Sequence, residues 1–270
     1  MEQLISRLTP RLPGSAVAIL RGLGVAVQPL VSLATTEIAG YEALARPTGS
    51  QVAPATLFEA ALAGGWMPEL DLVLAGHAFD AAVGLLAPGQ RLFLNVHPTA
   101  LESRGFAQRL RGVAAKEGLR LTRVVVEITE QGPITQPEIA LANIEELREA
   151  GALFALDDFG SGYAHMRWLR EIRPRFIKVA QSIATDFESV PWRRSVVHSI
   201  QSFAKEVGCA VIVEGIETAE TAEAALEMGI ELGQGYYFGR PAMIPYSSGW
   251  GTSPSIGSSF TSITSSTSPS

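Results

Sequence analysis

Little in this sequence suits a disulfide-stapled, membrane-spanning or duplex-binding protein. Cys209 is the only cysteine in 270 residues, which excludes an intrachain disulfide framework and a cysteine-rich zinc site. Its neighbours Val207, Ala210 and Val211 are apolar, so a buried thiol is expected there rather than a nucleophile. No stretch reaches the roughly 20 uninterrupted apolar residues of a membrane span. The opening MEQLISRLTPR lacks the basic and apolar regions of a signal peptide. A cytoplasmic chain with no membrane insertion is the expectation. Basic residues are in deficit, with a net charge of −6 and a pI of about 5.3. A duplex-binding surface needs a basic excess, so a nucleic acid duplex is not an expected partner, whereas a small anion held by a few local cations is compatible. Charge stops altogether after Pro241, and Ser or Thr fills fifteen of the last 24 positions. Such a segment buries too little apolar surface to offset its conformational entropy, so residues 243–270 are expected to be a disordered tail.

What remains is an α/β pattern. The content of 47% hydrophobic and 18% charged residues is that of a globular domain, and the length suits one large α/β barrel. After a leader or N-terminal helix over 1–20, strands over 25–33 and 38–44 flank a short turn, which predicts an antiparallel hairpin. Helical periodicity follows over 55–62 and 69–86. Strand and helix then alternate. Strand 92–96 precedes helix 100–116, strand 123–129 precedes helix 137–150, and strand 152–157 precedes a short helix at 164–171. Strand 175–179 precedes a long helical region ending near 207, strand 210–213 precedes helix 219–228, and a last strand lies near 234–238. Repeated βα units imply a parallel sheet, and their number suggests closure into a barrel rather than an open sheet.

Polar residues interrupt the ends of these apolar runs. They read FLNV (93–96), VVVEIT (124–129), LFALDDF (153–159), FIKV (176–179) and AVIVEGIE (210–217). Strands buried on both faces should be almost continuously apolar, and a buried charge needs a partner or a metal. Five such insertions in series point to ligands converging on one face of a barrel. Carboxylates and an amide favour a hard cation such as Mg²⁺ or Mn²⁺. The adjacent Asp157 and Asp158 would repel unless cations neutralise them, and Lys178 is placed to hold a water or a developing negative charge. That set suits two-metal hydrolysis of a phosphodiester.

These motifs resemble the EAL-domain family, phosphodiesterases that linearise the bacterial second messenger cyclic di-GMP. The resemblance rests on Gln28-Pro29, on GYEALAR (40–46), and on Asn95 in LNVHP. It continues through Glu127 and Glu130 in EITE, DDFGSGY (157–163), Lys178, EGIE (214–217) and QGYYFGRP (234–241). It covers about residues 20–242 and implies a (β/α)8 TIM-like barrel with an antiparallel first strand over 21–242, in agreement with the hairpin, together with hydrolysis of cyclic di-GMP to linear pGpG and Mg²⁺ or Mn²⁺, two ions being expected. It implies metal ligation by Glu42, Asn95, Glu127, Asp157 and Asp158, with Glu214 completing the shell or holding a water. Lys178 would orient the attacking water. Gln28 and Arg46 would contact the dinucleotide, and Gln234 would hydrogen-bond near the site. The loop 158–163, anchored by Glu130, would link metal binding to a homodimer interface. One departure stands out: the family usually has an Asp two positions after the lysine, and this chain has Ala180.

Each residue also has a structural reading. Asp157 or Asp158 can cap the next helix, Lys178 can pair with Asp157 or Glu214, and Asn95 can end its strand in a turn. Glu217 is expected to cap or anchor the helix from Ala219. His97, followed by Pro98, is assigned a structural or rim role, His77 a helix face, and His165 a place near substrate or a dimer partner. Two functions from different classes follow: an active phosphodiesterase, or a weak or inactive receptor for cyclic di-GMP in which Ala180 has removed a needed acid. A barrel enzyme acting on another phosphorylated metabolite is allowed by the fold but not by the motif set.

Overall fold

The apolar runs become strands that close on themselves. The computed structural model describes residues 2–9, 12–47, 53–129, 134–160 and 165–243. Strands β1 (Leu23–Ser32) and β2 (Ile38–Pro47) form the hairpin. They are followed by β3 (Arg91–Val96), β4 (Val124–Ile128), β5 (Leu153–Phe159), β6 (Phe176–Val179), β7 (Ala210–Val213) and β8 (Leu232–Gln234). Neighbours from β2 to β8 are parallel, and β1 closes the ring by pairing antiparallel with both β2 and β8. This is an eight-stranded α/β barrel with one inverted strand. A two-residue strand, β9 (Ala242–Met243), adds to β1 at Ala26 and Val27.

Helices wrap the barrel in sequence order. They are α1 (Glu2–Leu8), α2 (Gly14–Arg21), α3 (Pro54–Gly64), α4 (Met67–Leu85), α5 (Pro98–Leu101), α6 (Phe106–Glu117) and α7 (Pro137–Glu149). The series ends with α8 (His165–Ile172), α9 (Gln181–Ala184), α10 (Pro191–Val207) and α11 (Ala219–Glu227). A proline in the first turn opens α3, α4, α5, α7 and α10, where its missing N–H would have no helical partner anyway. The expected leader is built into the fold: Ile5 of α1 and Leu20 of α2 pack in one cluster with Leu57, Trp66 and Leu70. A larger cluster joins the outward faces of the strands to the helices.

Three expected elements differ. The single helix 100–116 is two, because Gly105 stands at φ +70° just before α6, a conformation that ends helical geometry and that glycine tolerates. The long region ending at 207 is likewise split, since Pro191 cannot continue a helix from the preceding segment. The last barrel strand runs 232–234 rather than 234–238. The aromatic run that suggests a strand instead turns, with Phe238 and Gly239 donating to the Gly235 carbonyl at 3.1 Å each. Of the expected tail 243–270, Met243 ends β9, and residues 244–270 lie outside the described residues.

Candidate active site

Every second strand residue points into the barrel. Phe93, Val125, Ala155, Phe176, Ala210 and Ile212, with Leu30 and Leu232, form an apolar plug in the interior. Two residues nearer the C-terminal ends, the same inward rows carry Asn95, Glu127, Asp157, Lys178 and Glu214. Gln234 follows Leu232 by the same step. β1 runs the other way, so its inward polar residue, Gln28, comes two positions before Leu30. Glu42 enters from β2, opposite Gln28 in the hairpin register and beside Phe93 of β3. Seven strands and the segment after β7 thus deliver one polar layer above one apolar layer.

Asp158 needs a device of its own, because strict alternation would send it outward. Leu156 pairs with Ile177 and Phe159 with Val179, so Asp157 and Asp158 together face the single residue Lys178. This is a β-bulge. Asp158 absorbs it at φ +54°, and both acids line the same cavity at the barrel mouth.

Lys178 occupies the middle. Its Nζ lies 2.8 Å from Glu214 Oε1, 3.0 Å from Glu127 Oε1, 3.1 Å from Asp157 Oδ1 and 3.2 Å from Glu42 Oε2. Its side chain is only 1% exposed. Glu42 is the second hub. Its Oε1 accepts from Asn95 Nδ2 at 2.7 Å, and its Oε2 accepts from Gln234 Nε2 at 2.7 Å and from Lys178. Gln234 also donates to Gln28 Oε1 at 3.3 Å, and Gln28 donates to the Gly239 carbonyl at 3.1 Å. Gly235 makes this corner possible. A Cβ there would overlap both the carbonyl oxygen and the nitrogen of Ile216, while Ile216 N bonds to Gln234 O and Tyr237 N to Ile216 O.

The protonation pattern follows from four acids sharing one base. Burial pushes the Glu127 carboxyl well up, and the neighbouring Glu42 charge adds to it. Burial likewise raises Glu214, to about 7, against the pull of Lys178. Burial opposes charge on Lys178, but the surrounding carboxylates outweigh it and hold the ammonium well above its ordinary range. Glu42 also resists burial, and falls below the ordinary value because Lys178, Gln234 and Asn95 all favour its charged form.

Two lobes open above this layer. One, of about 300 Å³, is lined by Gln28, Arg46, Glu214, Glu217, Gln234 and Tyr236. The other, of about 510 Å³, runs from Asn95 and Asp158 to an apolar wall of Phe58, Leu62 and Leu74. Glu42, Leu44 and Arg46 border both. Two contributors have no role assigned from the sequence, Asp71 outside its motifs and Tyr236 within QGYYFGRP. Asp71 of α4 is 3% exposed, faces the larger lobe and accepts the His97 backbone N–H at 2.8 Å; burial raises its carboxyl to about 8. An acid inside the apolar helix run LDLVLAG is the available signal. Tyr236 is exposed beside the smaller lobe, with the Arg240 guanidinium 4.0 Å over its ring.

Other expectations resolve individually. His97 caps α5 through Nδ1, which accepts from Thr99 N at 3.1 Å, so its role is structural. Glu217 does not cap the helix after it: Thr218 accepts from Thr221 N and leaves Glu217 exposed on the lobe. His77 lies on α4 as expected, and that face is buried because α4 is apolar nearly all round. Cys209 is half-buried, donates to the Pro174 carbonyl at 3.1 Å, and has its thiol pushed up by burial. Glu130, residues 161–164 and the side chain of His165 lie outside the described residues.

The donor set fits a hard divalent cation. All the gathered ligands are carboxylate or amide groups, and Glu127 Oε2 is buried without a hydrogen-bond partner, an arrangement that a cation would relieve. Among the described residues no group of three or more His, Cys, Asp or Glu stands ready-made around a metal position, since the ammonium sits between the acids. No described helix is long and apolar enough to cross a membrane.

Comparison with known proteins agrees with this architecture. The chain is 31% identical over 229 residues to an uncharacterized protein of Azorhizobium caulinodans, covering 81% of this chain and 31% of that protein. It is 35% identical over 150 residues to the cyclic di-GMP phosphodiesterase RocR of Pseudomonas aeruginosa, covering 56% of this chain and 38% of that one. The chain therefore spans about a third of the length of these relatives. Among solved structures, Klebsiella pneumoniae BlrP1 in complex with calcium and cyclic di-GMP superposes with a TM-score of 0.74 at 30% identity, over 82% of this chain and 56% of that chain. The EAL domain model matches residues 17–241, from α2 to the loop before β9, and the chain belongs to the EAL-domain family.

Proposed function

We propose that this chain is a metal-dependent phosphodiesterase that hydrolyses cyclic di-GMP to linear pGpG in the bacterial cytoplasm. The observation that carries the reading is the convergence of Glu42, Glu127, Asp157 and Glu214 on one point of the barrel mouth. Relatives named as cyclic di-GMP phosphodiesterases support the substrate. Glu42, Asn95, Glu127, Asp157 and Asp158 would hold Mg²⁺ or Mn²⁺, with Glu214 completing the shell, and two ions suit the number of ligands. Such ions supply an activated water and neutralise charge on the phosphate.

The chain's own residues do the rest. Gln28, Arg46 and Gln234 line the lobe where one half of a dinucleotide would rest. Gln234 and Asn95 fix both oxygens of Glu42, so that carboxylate keeps one orientation. Lys178 brings positive charge to the reacting phosphate and would position the incoming water. Residues 21–242 form the catalytic unit on this reading, and two copies would associate near the loop 158–163.

Turnover of purified protein with cyclic di-GMP and Mn²⁺ tests the proposal. pGpG should form, and Glu42→Ala should abolish it while leaving the circular-dichroism spectrum unchanged. Ala180 favours a second reading, a receptor that binds cyclic di-GMP without cleaving it. Binding with no product at any Mn²⁺ concentration would establish that alternative.

A further inference from the structure

We propose that Lys178 is the resident cation of the carboxylate cage, and that a divalent ion enters by taking oxygens away from it. This rests on the reading of these acids as metal ligands and adds a competition to it. Four acids brought by β2, β4, β5 and the residue after β7 meet one nitrogen at 2.8–3.2 Å. Among the described residues every ion pair of Glu42, Glu127, Asp157 and Glu214 is with Lys178. An ammonium has three N–H donors, fewer than the carboxylates around it. Charge, rather than directional bonding, therefore gathers the fourth. The stem has no route to solvent, since the side chain is 1% exposed and Phe176 fills the layer below.

Three of the four carboxylates are proposed metal ligands and the fourth completes the shell. The ammonium and an incoming divalent cation thus want the same oxygens and repel each other. Without Lys178 the acids would repel one another instead, and the cage would open. Lys178 is on this view a positioning residue with two opposed effects: it preassembles the ligands and it weakens the metal they bind. A lysine that served only to orient water would have neither signature.

Mn²⁺ binding and thermal unfolding of the 270-residue chain separate these cases, and neither needs the dinucleotide. For Lys178→Met, which keeps length and removes charge, the Mn²⁺ dissociation constant should fall about tenfold or more, given the strength of charge repulsion at such distances. In EDTA the variant should melt roughly 5 °C or more below wild type, and saturating Mn²⁺ should close the gap. Lys178→Arg should stay near wild type in both measurements. Unchanged or weaker Mn²⁺ binding by Lys178→Met, or a melting deficit equal with and without Mn²⁺, overturns the proposal. Should Lys178→Met not fold, the ¹⁵Nζ resonance of Lys178 in the wild-type chain decides. A shift on adding Mg²⁺ supports the exchange, and an unmoved signal at saturation refutes it. Failure of turnover with normal Mn²⁺ competition would sink the enzyme reading alone, whereas absence of Mn²⁺ binding in both chains would sink both.

Discussion

Replacing Asp71 with Asn should stabilise this protein, by an amount that grows with pH. The carboxyl is buried in α4, and burial lifts it from 3.8 to about 8. The folded state therefore keeps a proton that the unfolded chain releases. Stability due to this group is greatest below pH 4, declines as pH rises towards 8, and is flat beyond. Each pH unit in that window costs about 1.4 kcal/mol, so the accumulated penalty at pH 7 is about 4 kcal/mol. Asparagine cannot ionise, yet its Oδ1 can still accept the His97 N–H that Asp71 Oδ2 receives at 2.8 Å. Its amide N–H₂ meets the larger lobe rather than packed core. Urea unfolding of both chains at pH 4.5, 6 and 7.5 measures the effect, with unchanged m-values required for the comparison. The gap between the two stability curves should widen by about 4 kcal/mol from pH 4.5 to pH 7.5. Parallel curves, or an Asn variant that is less stable at pH 7.5, would show that Asp71 is ionised in the fold. An acid retained against such a penalty is the kind of residue that serves a site rather than stability.

Ala180 stands at the N-cap of α9 and is 2% exposed. In Ala180→Asp the roughly 1 kcal/mol that a cap supplies is outweighed by the cost of burying the new carboxylate, so the melting temperature in EDTA should fall. The substitution should also lower the Mn²⁺ concentration needed for half-maximal turnover; if thermal unfolding and the Mn²⁺ titration are both unmoved, Ala180 is neutral. Gly235→Ala drives a Cβ into the Ile216 carbonyl oxygen and nitrogen, which should destabilise the fold by about 3 kcal/mol. The backbone must move to relieve it and Gln234 moves with it, so turnover should fall as well. A melting temperature equal to that of wild type would count against the close approach.

The strand-end polar residues are legible in the sequence because barrel strands impose a two-residue repeat. Where a run such as VVVEI or FIKV breaks its apolar character inwardly, the break must face the interior, and its type then restricts the chemistry. The departure at Ala180 is visible because FIKV fixes the place of the lysine from which it is counted. Glu217 reads as a helix cap because Thr218, one residue on, is an equally good acceptor and only backbone geometry chooses between them. The YYF run after Gln234 has strong strand propensity, but the approach of Ile216 to Gly235 turns the chain first. Asp71 escapes a motif-based reading because a helix has no reason of its own to place an acid at the barrel mouth.

Alternation and burial are local consequences of residue order. They are enough to say which residues face inward and that acids, an amide and a lysine share one layer. Local order does not place the lysine at the centre of four carboxylates, turn Asp158 through a bulge to the same side as Asp157, or bring Asp71 to the cleft. Those facts depend on ring closure and strand stagger, which bring together residues more than a hundred positions apart and which no local pattern encodes.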